Sequence, residues 1–204
     1  MLPTTSPSDI TASPATSDLQ YLMSLALDLP EPYRSLNVYV LDSDHFRNYP
    51  GSTGHHHSEE GGLLRHTAQV VRTCEFYHSQ APENLDWSIL LTAAIWHDYG
   101  KIWDYEAYRT TGNNPGEMVT AYRGTRHRTI INHPARSYAE FMSMSEAVMQ
   151  DEERDEIGHL ILSHHGRRDW GAIQEPKTPE AWALHLADMA SAFCYEERPN
   201  PAGK

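Results

Sequence analysis

Cysteine is nearly absent from this sequence. Cys74 and Cys194 are the only two, they show no Cys-x-x-Cys spacing, and both fall in amphipathic stretches. A disulfide framework or a cysteine-rich structural zinc site is therefore not expected, and two reduced core thiols are. Long apolar runs are missing too: none approaches the ~20 residues that span a bilayer. The opening Met1-Leu2-Pro3-Thr4-Thr5-Ser6 has no basic region followed by an apolar one, so the expectation is a cytoplasmic protein without a secretory signal. Basic residues are scarce, 16 Lys and Arg against 28 Asp and Glu, for a net charge of −12. Such a surface repels long polyanions unless a local patch or a bound metal reverses the field. That counts against a processive nucleic-acid binder acting alone, but not against a small anionic substrate drawn to a metal centre.

What the chain does have is histidine, thirteen residues of it, and helical periodicity. Residues 1–16 are rich in Ser, Thr and Pro without periodicity and read as a disordered leader. Residues 17–196 read as one all-α domain, and 197–204 as a flexible tail. Ser17-Asp18-Leu19-Gln20 resembles a capping box ahead of Leu22, Met23, Ala26 and Leu27 at helical spacing. Val38-Tyr39-Val40-Leu41 has strand-like composition, but an isolated strand suits a helical chain poorly, so residues 33–48 are assigned to helix. Further helices are predicted over residues 59–79, 86–98, 129–149, 152–165 and 178–196. The last opens on Thr178-Pro179-Glu180 as N-cap, first-turn proline and acid. Residues 99–126, with Gly112, Pro115, Gly116 and Gly124, read as irregular. Trp96 and Trp103 are assigned to the core.

His97-Asp98 ends an apolar helix, and an acid buried there needs a partner because a lone buried charge is costly. A divalent metal supplies one, and the two oxygens of Asp98 allow it to bridge two ions. His66, His133, His164 and His165 lie on or at the ends of other apolar helices. Asp188 sits mid-helix in Leu184-His185-Leu186-Ala187-Asp188-Met189, where an inward acid is otherwise unfavourable. Taken singly, each has a bland explanation as a satisfied core histidine or a solvated acid. Together they bring N and O ligands from five helices and no thiolate, a set suited to Mn, Fe, Co or Ni, with zinc or Mg also open.

The order His66, His97-Asp98, His133, His164-His165, Asp188 resembles the HD-domain metal-dependent phosphohydrolases. Longer stretches resemble the HD part of YhaM-type 3'-to-5' exoribonucleases. These are His55-His56-His57 leading to Gly61-Gly62-Leu63-Leu64-Arg65-His66-Thr67, then His97-Asp98-Tyr99-Gly100-Lys101-Ile102. Leu162-Ser163-His164-His165-Gly166 with Trp170-Gly171 follows, and then Pro176-Lys177-Thr178-Pro179-Glu180-Ala181 through Asp188. The HD part of H-class conjugative relaxases is similar around the triple histidine. The resemblance implies a helical bundle with two divalent ions between its helices. His66, His97, Asp98 and Asp188 would hold one ion; Asp98, His133 and one or both of His164 and His165 would hold the other. Asp98 and Lys101 would be catalytic, Lys101 contacting the scissile phosphate. A glutamate found one turn before the first histidine in trinuclear relatives is replaced by Gly62, which favours two ions. In place of the OB domain that YhaM-type enzymes carry on the N-terminal side stand a short polar leader and one or two helices. With the charge of −12, the expected substrate is a small phosphate compound or a short single strand rather than long RNA.

Arg65, His57, Arg167 and Trp170 complete the candidate substrate contacts, Trp170 as a surface for a base or as packing against the last helix. Rival readings from the same ligand set are a mixed-valent di-iron oxygenase and a non-catalytic, relaxase-like nucleic-acid-binding module.

Overall fold

A computed structural model describes residues 14–53, 57–114 and 116–194. It is mostly helical. In chain order come α1 (Pro14–Asp28), α2 (Tyr33–Leu41), α3 (Asp44–Asn48), α4 (Gly62–Gln80), α5 (Trp87–Trp96) and α6 (Lys101–Asp104). Strands β1 (Tyr105–Thr111) and β2 (Met118–Gly124) follow, then α7 (Arg126–Ile130), α8 (His133–Ser145), α9 (Asp151–Ser163) and α10 (Pro179–Cys194). Helix α5 is the axis. Its sequence Ile89-Leu90-Leu91-Thr92-Ala93-Ala94-Ile95-Trp96 offers no polar face, and every one of these residues is buried; a helix apolar all round must be covered on all sides. Helices α2, α4, α9 and α10 pack against it. The one polar side chain in that run, Thr92, is satisfied by the amide of the equally buried Asn37 on α2, 3.0 Å away.

Local chemistry sets the ends. Asp86 caps α5 through the amides of Ser88 and Ile89. Thr178 Oγ1 accepts from the Ala181 amide at the start of α10. The first-turn acid Glu180 is buried and accepts from the backbone N–H of Asp86, tying the start of α10 to the start of α5.

Several expectations are corrected. Helix α1 begins at Pro14, so Ser17 lies inside its first turns rather than at a cap, and Asp18 is buried in an ion pair with Arg72 of α4 at 2.8 Å. The rest of the leader and the tail from residue 195 onwards lie outside the described residues. Residues 99–126 are not irregular: α6 leads into an antiparallel hairpin running from the Tyr105–Gly124 pair to the Thr111–Met118 pair. Both faces of that hairpin are largely exposed, which removes the apolar alternation by which a strand is recognised. The 129–149 helix is divided in two at Ile131-Asn132. Trp96 is fully buried, whereas Trp103 sits half-buried at the core's edge beneath the Arg136 guanidinium. Cys74 is a buried thiol, but Cys194 is exposed because α10 runs on past the core.

Gly100 fixes how α6 meets α8. A Cβ there would strike the His133 carbonyl oxygen and come within 2.9 Å of the Ser137 amide nitrogen. The Gly100 N–H instead donates to Ser137 Oγ at 2.8 Å. Gly100→Ala should therefore destabilise the fold by about 1–3 kcal/mol, the usual cost of overpacking, and lower the midpoint of thermal unfolding; an unchanged midpoint would show that α6 and α8 can separate freely. The two thiols also make a check. Native protein should bind one equivalent of a thiol reagent, at Cys194, with the second reacting only in denaturant.

Candidate metal centre

Six ligating side chains converge on Asp98, whose carboxyl is buried just past the end of α5. On its Oδ2 side stand His66 of α4, with Nε2 at 3.2 Å, and His97, with Nε2 at 3.4 Å. Asp188 of α10 joins them, its Oδ1 3.1 Å from His66 Nε2. On the Oδ1 side stand His133 Nε2 at 3.3 Å and His164 Nε2 at 3.8 Å. His165 Nε2 lies 3.3 Å from His133 Nε2. The ligating atoms of His66, His97 and Asp188 fall within 4.8 Å of one another, as do those of His133, His164 and His165. Two triads thus flank a single carboxylate.

The imidazoles are oriented from behind. A carbonyl oxygen can only accept, so each Nδ1 that faces one must carry the proton and leave Nε2 as the ligand atom. His97 Nδ1 donates to Ala94 O at 2.7 Å and His164 Nδ1 to Ile161 O at 2.6 Å. His133 Nδ1 faces Asp104 Oδ2 at 3.2 Å, and the other oxygen of Asp104 accepts from His127 Nδ1 at 2.8 Å. His66 Nδ1 donates to Ser191 Oγ at 2.9 Å; Ser191 passes its own proton to Gln69 Oε1 at 2.8 Å, and the same oxygen accepts from His57 Nε2 at 2.9 Å. His185 Nδ1 donates to His164 O at 2.8 Å, locking the end of α9 against α10.

The protonation states of Asp98, Asp188, His164 and His165 favour ligation. Burial alone would raise the Asp98 carboxyl, but Lys101, His97 and His133 hold it well below the ordinary carboxylate range. Asp188 is likewise held low, its burial outweighed by the hydrogen bond from His66. Burial, then the neighbouring His165 and His97, push His164 well below the normal imidazole value; burial and His133 bring His165 down to about 4. His66 moves the other way, toward the charged form, because the Asp188 and Asp98 carboxylates beside it outweigh its burial. Lys101 Nζ lies 2.6 Å from Asp98 Oδ2, and that carboxylate outweighs burial to raise the ammonium's pKa.

A metal fits these residues. Neither oxygen of Asp98 has a hydrogen-bond partner of proper geometry despite full burial, and neither does His164 Nε2. Buried polar atoms are almost always satisfied, so three such atoms converging on one point form a donor set that a cation would complete. Ionised carboxylates and neutral imidazoles are also the forms that bind cations.

The cluster opens into a cavity of about 220 Å³ lined by Gly51, Ser52, His57, His66, Lys101, His165, Asp188 and Ala192. A larger one of about 710 Å³, bounded by Leu36, Tyr39, Met144 and Val148 among others, contains none of the clustered residues. Of the sequence-predicted substrate contacts, Lys101 and His57 line the 220 Å³ cavity. Trp170 does not; it borders a separate opening over His165 and Asp188. Arg65 is paired with Glu59 at 2.6 Å, and Arg167 lies over the Trp170 ring; neither lines these cavities. His55 and His56 lie outside the described residues. Among the described residues the only non-glycine positions with positive φ are His57 (57°) and Asn132 (63°), the latter directly before His133. Such backbone is costly and tends to gather at functional sites. Sequence reasoning missed Asp104, His127, Ser191, Gln69 and His185. Two of these carried a readable signal: Gln69 and Ser191 follow the clustered His66 and Asp188, respectively, by one helical turn.

The family model for the HD domain matches residues 63–192. Among curated proteins, the 3'-5' exoribonuclease YhaM of Bacillus subtilis strain 168 is 30% identical over 148 residues, covering 72% of this chain and 43% of that protein. The 3'-5' exoribonuclease YhaM of Oceanobacillus iheyensis is 31% identical over 168 residues, 81% of this chain and 49% of its own length. That of Listeria welshimeri is 29% identical over 150 residues, 73% and 44%. The match thus spans less than half the length of these relatives. No solved structure matches the chain.

Ser191→Ala removes the acceptor that sets the His66 tautomer. Metal affinity should fall about 10–100-fold, the cost typical of an outer partner, with helical content intact by circular dichroism. Titration of metal-free protein with Mn²⁺ or Co²⁺ measures this, and wild-type affinity in the variant would contradict the orienting role.

Proposed function

The chain belongs to the HD domain family, and from that membership we propose that it is a metal-dependent phosphohydrolase working at a dinuclear centre. Its substrates on this reading are phosphodiesters or nucleotide phosphates, with exonuclease-like action from the 3' end of short single strands, in keeping with the activity named for its relatives. The observation that carries the reading is the buried Asp98 carboxylate, paired on one oxygen with Lys101 and flanked by a triad of possible ligands on each side. His66, His97 and Asp188 would hold one ion and His133, His164 and His165 the other, with Asp98 bridging. The ions are of the Mn, Fe, Co or Ni kind, which N and O donors without thiolate accept.

Divalent ions bound there supply Lewis-acid polarisation of a phosphoryl oxygen and activation of water. The chain's own residues do the rest. Lys101, kept charged by Asp98, borders the cavity and offsets charge on a non-bridging phosphoryl oxygen. Asp188 and Asp98 remain ionised, so neither has a proton to shed when a cation arrives. His57, brought down to about 4 by burial and by His66, stands at the cavity wall as a neutral ring. The cavity, of about 220 Å³, has room for a phosphate group.

Asp98→Ala should strip metal from purified protein and lower hydrolysis of model diesters, nucleotides and short single strands. The loss should exceed the about 10–100-fold expected for an outer partner. Elemental analysis paired with turnover under Mn²⁺, Fe²⁺ and Co²⁺ tests this; full metal content and full turnover in the variant would end the proposal.

A further inference from the structure

Beside the metal centre is a second opening of different character. A cavity of about 400 Å³ is lined by His165, Trp170, Asp188, Met189 and Phe193. It shares His165 and Asp188 with the polar cavity that Lys101 and His57 border. Two compartments therefore meet over the same two site residues, one able to take an anion, the other lined by an indole, a phenyl ring and a thioether. Trp170 is 52% exposed and Phe193 67%, large apolar surface beside a site rather than in the core.

Trp170 is also held as a fixed platform. It lies on a short 3-10 turn, Arg168–Trp170, whose backbone closes through Trp170 N–H to Arg167 O at 2.9 Å and Gly171 N–H to Arg168 O at 3.0 Å. Gly171 has φ 99°, and a Cβ there would come 3.1 Å from His165 Nδ1, so glycine lets the turn close down on that histidine. His185 backs the indole at 6.2 Å between centroids, the planes 31° apart, and the Arg167 guanidinium lies 5.4 Å from the Trp170 ring centroid. A rigid aromatic surface loses little entropy on binding a flat ligand.

We propose that this aromatic compartment takes an unpaired nucleobase of the substrate, stacked on Trp170, while the attached phosphate occupies the polar compartment. The proposal rests on the phosphohydrolase reading above and narrows it to substrates that carry a planar base. A base within a duplex has both faces covered by its neighbours, so selection for single-stranded ends follows from the geometry. Flat ring faces suit a base better than an alkyl chain, because stacking is worth more than contact area alone.

The test compares three phosphates on the full-length, Mn²⁺-loaded chain by titration calorimetry: adenosine 5'-monophosphate, ribose 5-phosphate and octyl phosphate. The nucleotide should bind about tenfold or more tighter than ribose 5-phosphate, and that preference should shrink to about twofold or less in Trp170→Ala while Trp170→Phe keeps most of it. Equal affinity of wild type for the nucleotide and ribose 5-phosphate, or an undiminished preference in Trp170→Ala, would overturn the proposal and leave the phosphohydrolase reading standing. Octyl phosphate binding as well as the nucleotide would assign the compartment to an alkyl chain and overturn it too. If no phosphate binds and no diester is cleaved, both readings fall together.

Discussion

An ionised carboxylate, Asp98, is buried at the end of the most apolar helix in the molecule. Removing such a group from water costs several kcal/mol even after the surroundings relax. The protein has not relieved this by protonation, since Asp98 is held well below the ordinary carboxylate range. Nor has it done so with hydrogen bonds, since both oxygens lack partners of proper geometry. It has gathered four imidazole Nε2 atoms and one ammonium around it instead. An exposed pair such as Arg123 with Glu106, at 2.6 Å, is worth no more than about 1 kcal/mol. Charge compensation at Asp98 is the interaction on which the arrangement of the helices turns.

That demand explains why α5 is the axis. A helix apolar on every side can end in a charged pair only if its neighbours close over the end, and α4, α9 and α10 do so while their apolar faces cover its length. Burial and site formation are then a single event: the packing that excludes water from Trp96 also brings His66, His164 and Asp188 to Asp98. The acidic surface matters less than the net charge of −12 suggests, because the field that meets a substrate is set within a few ångströms of the centre, where Lys101 stands.

The clustered histidines and acids were legible in the sequence because several of them break a local pattern. His66, His164 and His165 stand at the inner edge of apolar stretches, and Asp188 is an acid on an otherwise apolar helical face. Helix periodicity located α4, α5, α9 and α10 to within a few residues. The hairpin was not legible, since Tyr105-Glu106-Ala107-Tyr108-Arg109 alternates neither in polarity nor in burial. Asp104 was lost with it, lying in the stretch assigned to irregular structure, and His127 falls between that stretch and the helix expected from residue 129. Ser191 and Gln69 are uncharged and common, and nothing in their identity marks them; only their one-turn spacing from Asp188 and His66 could have. Cys194 differs from expectation for a plainer reason: periodicity gives the face of a residue but not how far the core extends beneath it.

Where a ligand sits along its helix decides what must stand behind it. The last carbonyls of a helix have no partner within it. His97 and His164, each just past a helix end, turn Nδ1 back to the carbonyl three residues before, Ala94 and Ile161, and so are oriented by backbone alone. His133 opens α8, where the unpaired groups are N–H donors rather than acceptors, and a carboxylate from elsewhere, Asp104, takes the carbonyl's place. His66 lies within α4 and is served by a side-chain relay through Ser191 and Gln69. Asp104, Ser191 and Gln69 escaped sequence reading because they stand behind imidazoles whose partner comes from outside the backbone of their own helix.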